Sequence, residues 1–107
     1  MIPLEILRPV YTEADNSLNE NLSQKITIFV DWFKPHTQIR NTDNGTTYTT
    51  LKVVIPPDQD IRQTDLIAWP QGLTEAEFAT KGRWLSVLSW YLPKDANGNI
   101  HHIEVTA

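Results

Sequence analysis

The sequence predicts a mostly β fold: a small antiparallel barrel or rolled sheet with two long loops and one short helix. Two observations carry this. Apolar residues alternate at the strand period along most of the chain, and seven Pro and four Gly punctuate it. The length sets the scale, since 107 residues can bury one modest core but not two, so residues 1–107 form one domain. About five or six antiparallel strands cannot leave both sheet edges bare, which favours closure or rolling.

Residues 3–10 form a first extended segment, bounded by Pro3 and Pro9, which suit an edge strand because proline lacks the N–H a central strand needs. Residues 11–23 are polar and acidic and form a long loop. Residues 24–33 are the clearest strand, with Ile26, Ile28, Val30 and Trp32 on one face and Lys25, Thr27, Phe29 and Asp31 on the other. Residues 35–47 hold little that is apolar beyond Ile39 and form the second long loop, in which Asn44-Gly45 is a hairpin-turn signal. From Tyr48 a β-branched run resumes, with Leu51, Val53 and Ile55 alternating until Pro56-Pro57 ends the ladder.

Residues 65–69 make a short strand. Thr74 and Glu77 then have capping-box spacing, so a turn or two of helix follows, closed by Gly82. Residues 84–92 read as one further strand, residues 96–99 as a tight hairpin turn, and residues 100–106 as the last strand. The alternation nominates Ile26, Ile28, Val30, Val53, Ile55, Trp84 and Leu88 as core. Trp32, Trp84 and Trp90 are expected to pack inward, whereas Trp69, beside Pro70, is the tryptophan expected at a surface or subunit contact.

The net charge is −4, and residues 1–23 carry four carboxylates against Arg8 alone. An acidic balance argues against a surface that grips phosphates, although DNA could slide past it. There is no Cys, which excludes disulfides and thiolate metal sites. No apolar stretch is long enough to span a bilayer, and the N-terminus lacks signal-peptide character, so an intracellular product without a membrane partner is expected.

Catalytic chemistry finds little support. No Ser sits in a Gly-x-Ser-x-Gly elbow, and the four Gly stand singly at 45, 72, 82 and 98, so no phosphate cradle forms. His101 and His102 are adjacent in an expected strand and should point to opposite faces, which prevents them from chelating one metal. Asp95 begins a turn and not a calcium loop, and Asp58 and Asp60 read as solvating a linker. The expectation is no enzyme, no cofactor and no metal.

Residues 53–106 contain VVIPPDQDI, TDLIAW, GRWLSVLSWYL and IHHIEVT, in that order. This succession resembles the head-to-tail joining proteins of long-tailed bacteriophages, and within them the head-closure, or stopper, proteins. PQGLTEAEFATK departs from that pattern by inserting a helix where a tight hairpin is common. The resemblance implies a β-barrel subunit that assembles with copies of itself into a ring, usually sixfold, between portal-adaptor and tail proteins. It places the chain in the virion neck, and in the host cytoplasm before assembly, with transient contact to packaged DNA.

It also implies that the loop of Pro35, His36, Gln38, Arg40, Asn41, Asp43, Asn44 and Gly45 faces the channel and helps retain DNA. Ring assembly buries two different patches on every copy, for which Phe29, Phe33, Trp69 and Tyr91 are the candidates, with packing under the loops as the competing explanation. Two other readings stay open: a stand-alone carbohydrate- or protein-binding module using Trp69, and a tail-terminator protein.

Overall fold

A computed structural model describes residues 1–19, 21–37, 39–42 and 45–107, with backbone alone over Ile39–Thr42 and Gly45–Tyr48. Its strands are β1 (Ile2–Arg8), β2 (Gln24–Val30), β3 (Trp32–Pro35), β4 (Ile39–Thr42), β5 (Gly45–Tyr48), β6 (Leu51–Ile55), β7 (Leu66–Trp69), β8 (Arg83–Ser86), β9 (Ser89–Tyr91) and β10 (Ile103–Thr106). Helix α1 (Glu75–Lys81) lies between β7 and β8.

The mostly β expectation holds, but the closed barrel does not. Two four-stranded antiparallel sheets face each other, the first in the order β2-β1-β7-β8 and the second β3-β6-β10-β9, while β4 and β5 pair only with each other. Both edge strands of the first sheet run directly into edge strands of the second: β2 continues into β3 through Asp31, and β8 into β9 through Val87 and Leu88. The stretches expected as single strands over 24–33 and 84–92 are therefore each two strands in different sheets. Strands that bend at a corner can join two sheets of a sandwich without a closed ladder.

The corners shift the inward phase by one residue. Val30 is fully buried, yet Trp32 is 37% exposed, and Phe33 instead packs against the core. At the second corner Leu85 and Val87 face inward, Leu88 is 39% exposed, and Trp90 and Leu92 take over the inward side. Strict alternation therefore misplaces Trp32 and Leu88. Ile28, Val30, Val53 and Ile55 lie in the core as expected, joined by Leu4, Ile6, Leu51, Ile67 and Val105, and Ile26 packs at its margin.

β1 is an interior strand and not an edge. It pairs with β2 along its length and with β7 at Ile6 and Leu7. Pro3 is tolerated because β7 does not reach it. Beyond Trp69 the Gln71 amide continues the ladder: it accepts from the Glu5 N–H at 2.9 Å and donates to the carbonyls of Glu5 at 3.2 Å and Ala68 at 2.6 Å. Backbone groups that would otherwise be orphaned are thus paired by a side chain.

α1 has the expected capping box. Thr74 Oγ1 accepts from the Glu77 N–H at 3.2 Å, and Glu77 Oε1 accepts from the Thr74 N–H at 3.3 Å. The helix covers the outer face of the first sheet, where Phe78 packs on Trp84 with ring centroids 4.7 Å apart and planes tilted by 53°. Trp84 consequently packs outside the core cluster, because Leu85 beside it takes the inward position opposite Ile67.

Gly82 is needed for contact and not for a left-handed cap. Its φ of −86° is open to any residue, but an added Cβ would lie 2.1 Å from the Phe78 ring. We expect Gly82→Ala to destabilise the domain by about 1–3 kcal/mol, the usual cost of overpacking, and Phe78→Ala/Gly82→Ala to show no further loss beyond Phe78→Ala. Denaturant unfolding of the three variants measures both values.

Candidate interaction surfaces

The second long loop is in fact mostly a β-ribbon. Ile39 pairs with Tyr48, Arg40 with Thr47, Asn41 with Thr46 and Thr42 with Gly45. Its root is clamped to the second sheet: the His36 N–H donates to the Thr50 carbonyl at 2.8 Å, and buried Thr49 donates through Oγ1 to the His36 carbonyl at 3.2 Å. Arg83 Nη2 adds a bond to Thr50 Oγ1 at 3.0 Å. The ribbon joins neither sheet.

The radius of gyration, 14.9 Å, exceeds the ~13 Å of a compact domain of this length, as a projecting element would produce. Of the channel-loop candidates, Pro35 is exposed at the end of β3 and His36 is half-buried. Gln38, Asp43 and Asn44, and the side chains of Arg40 and Asn41, lie outside the described residues; Arg40, Asn41 and Gly45 are placed by their backbone register alone.

The four aromatic candidates divide into two kinds. Phe33 on β3 and Trp69 on β7 meet edge to face across the sandwich, with centroids 6.4 Å apart and planes at 87°, and both pack against the core. Phe29 and Tyr91 are exposed, on β2 and β9, in different sheets. The structure therefore brings Phe33 and Trp69 together and leaves Phe29 and Tyr91 apart from them.

Sequence reasoning missed a polar lock at the end of β1. The Asp65 carboxylate is fully buried and takes a bidentate contact from Arg8, Nε to Oδ1 at 3.2 Å and Nη2 to Oδ2 at 3.0 Å, plus the Arg62 N–H at 2.9 Å. Arg8 Nη1 also pairs with Asp60 at 3.1 Å, so Asp60 does more than solvate its linker. These hydrogen bonds raise the Arg8 pKa, and Arg8 in turn holds the Asp60 carboxyl below its ordinary value. The only sequence signal was Arg8 standing as the single base of residues 1–23, together with an Asp immediately before the apolar LIAW run.

His101 and His102 precede β10, so strand alternation does not separate them. Their Nδ1 atoms are 2.8 Å apart, and His102 Nε2 lies 3.0 Å from Glu104 Oε1. Among the described residues no group of three His, Cys, Asp or Glu is placed to hold a metal ion. A groove of about 250 Å³ runs between α1 and the first sheet, lined by Glu5, Lys25, Thr27, Leu73, Phe78 and Trp84. No helix among the described residues is long and apolar enough to cross a membrane. No protein-family model, curated protein or solved structure matches the chain.

Proposed function

We propose that the chain is a structural subunit of a phage neck, a head-closure protein that joins the DNA-filled head to the tail and helps retain the packaged DNA. The observation that carries this reading is the β4–β5 ribbon. It leaves the scaffold between β3 and β6, pairs with neither sheet, and is clamped at its root. A two-stranded ribbon is marginal by itself in water and gains order from a surface that other chains supply. The head-closure proteins that residues 53–106 resemble carry their channel loop between the corresponding strands.

The acidic balance agrees, because a wall of the same sign as DNA does not hold it fast. Trp69, on which the sugar-binding alternative rests, is half-buried, with its ring set edge to face against Phe33 and packed on the core. Deleting residues 41–46 in the genome of a phage that encodes this chain should give heads that fill with DNA, then leak, and take tails poorly. The yield of DNA-containing heads, compared with wild type, reads this out. Heads that keep their DNA and join tails normally would transfer the channel role to the acidic segment over residues 11–23.

A further inference from the structure

Among the described residues no helix covers the outer face of the second sheet, which carries two cross-strand rows of unlike character. In the first, Trp32, Val54, Glu104 and Tyr91 lie side by side across β3, β6, β10 and β9. Their neighbours Phe33, Val53, Val105 and Trp90 face the core, so this row points away from it. Four strands span three spacings, which puts Trp32 and Tyr91 roughly 14 Å apart at the two ends of the row, with the nearly buried Val54 and the Glu104 carboxylate between them. Tyr91 is 61% exposed.

The second row runs Lys34, Lys52, Thr106 and Ser89. Lys34 and Lys52 are direct cross-strand partners, an arrangement of like charges that destabilises a sheet unless an anion stands nearby. Among the described residues neither lysine has a carboxylate partner. Lys34 Nζ rests 5.3 Å from the Trp32 ring, and Glu104 is engaged by His102. Such a face fits a partner that presents apolar groups beside carboxylates.

The same chain presents that combination elsewhere. Between β1 and β2, Val10, Tyr11 and Leu22 are exposed, and Glu13 and Asp15 lie among them, also exposed. Residues 10–19 of it are preorganised: the Thr12 N–H bonds to the Ser17 carbonyl at 2.8 Å, the Asn19 N–H to the Val10 carbonyl at 2.8 Å, and Asp15 accepts from the Ser17 hydroxyl at 2.7 Å. Little ordering is lost when such a surface docks.

We infer that copies of this chain associate head to tail, the exposed Val10, Tyr11, Glu13, Asp15 and Leu22 of one copy docking on the Trp32–Tyr91 and Lys34–Lys52 rows of the next. Two different patches on one chain make a heterologous contact, which closes into a ring when the rotation allows. The assignment rests on the reading of the chain as a self-assembling subunit and specifies which surfaces meet.

The test is sedimentation of the full chain up to millimolar concentration, with charge reversals on each side. Lys34→Glu/Lys52→Glu alone and Glu13→Lys/Asp15→Lys alone should each weaken self-association by about tenfold or more, because each makes the facing patches alike in charge. Mixing these two variants should restore association, since each then offers what the other lacks, and the fourfold variant should associate with itself. Tyr91→Ser should also weaken association, and circular dichroism checks that each variant is folded.

A wild-type chain that stays monomeric throughout overturns the inference, as does association that none of the reversals changes. In the second case copies meet through other surfaces, and the neck reading survives. Failure of the neck reading would appear instead in the DNA-retention experiment, whatever the sedimentation shows. Binding of duplex DNA by wild type, lost with Lys34→Glu/Lys52→Glu, would assign the lysine row to phosphate and overturn the self-docking assignment.

Discussion

Replacing Arg8 with Met should cost about 3–5 kcal/mol of stability, a large part of the roughly 5–15 kcal/mol that holds a small domain together. The cause is the carboxylate left behind. Asp65 is completely buried, and without the guanidinium it keeps, among the described residues, the Arg62 N–H alone. Urea unfolding of Arg8→Met measures the loss as a lower midpoint at unchanged slope. Arg8→Met/Asp65→Leu should recover much of it, because removing both charges leaves no unpaired ion in the interior. Equal losses in the single and double variants would show that Arg8 acts through packing of its stem. Asp60 adds a smaller, pH-dependent part. Its pKa is lowered by Arg8, so this contribution is present above the ordinary carboxylate value and fades as the pH falls through the depressed one. Its side chain is 71% exposed, and solvent screening keeps the contribution small.

Ile28→Ala should destabilise the domain by about 2–5 kcal/mol, whereas Leu88→Ala should cost no more than about 1 kcal/mol. Alternation along the sequence ranks both as core, so the pair separates the two descriptions. Ile28 sits in the central cluster opposite Leu4, while Leu88 lies at the corner where β8 passes into β9, with its N–H bonded to the Thr106 carbonyl at 2.8 Å. Removing a side chain at the corner leaves water to fill the space, whereas removing Ile28 leaves a cavity. Comparable losses at both positions would mean that the corner is packed as tightly as the core.

The local chemistry of this protein was legible in its sequence. The strand period over 24–30 and 51–55, the stop at Pro56, the capping box of Thr74 and Glu77, and the turn around Gly98 each depend on residues a few positions apart. The structure has each of them, including the positive φ of Gly98 and the Asp95 carboxylate that accepts from the N–H groups of Asn97 and Asn99. Even the corners left a trace, in the three-residue spacing of the inward pairs Val30 and Phe33, and Val87 and Trp90.

Other features were settled only when distant segments met. Period-two alternation states which side chains share a face but not which sheet that face belongs to, so two bent strands read as two straight ones and a sandwich as a barrel. β1 became interior because β7, far along the sequence, pairs with it at Ile6 and Leu7, and the Gln71 amide extends that ladder to Glu5. The burial of Asp65 required Arg8 to arrive from 57 residues away, and no local pattern encodes that encounter. The rows on the outer face of the second sheet exist only in the register of four strands drawn from four separate stretches of chain, so their chemistry belongs to the tertiary structure alone.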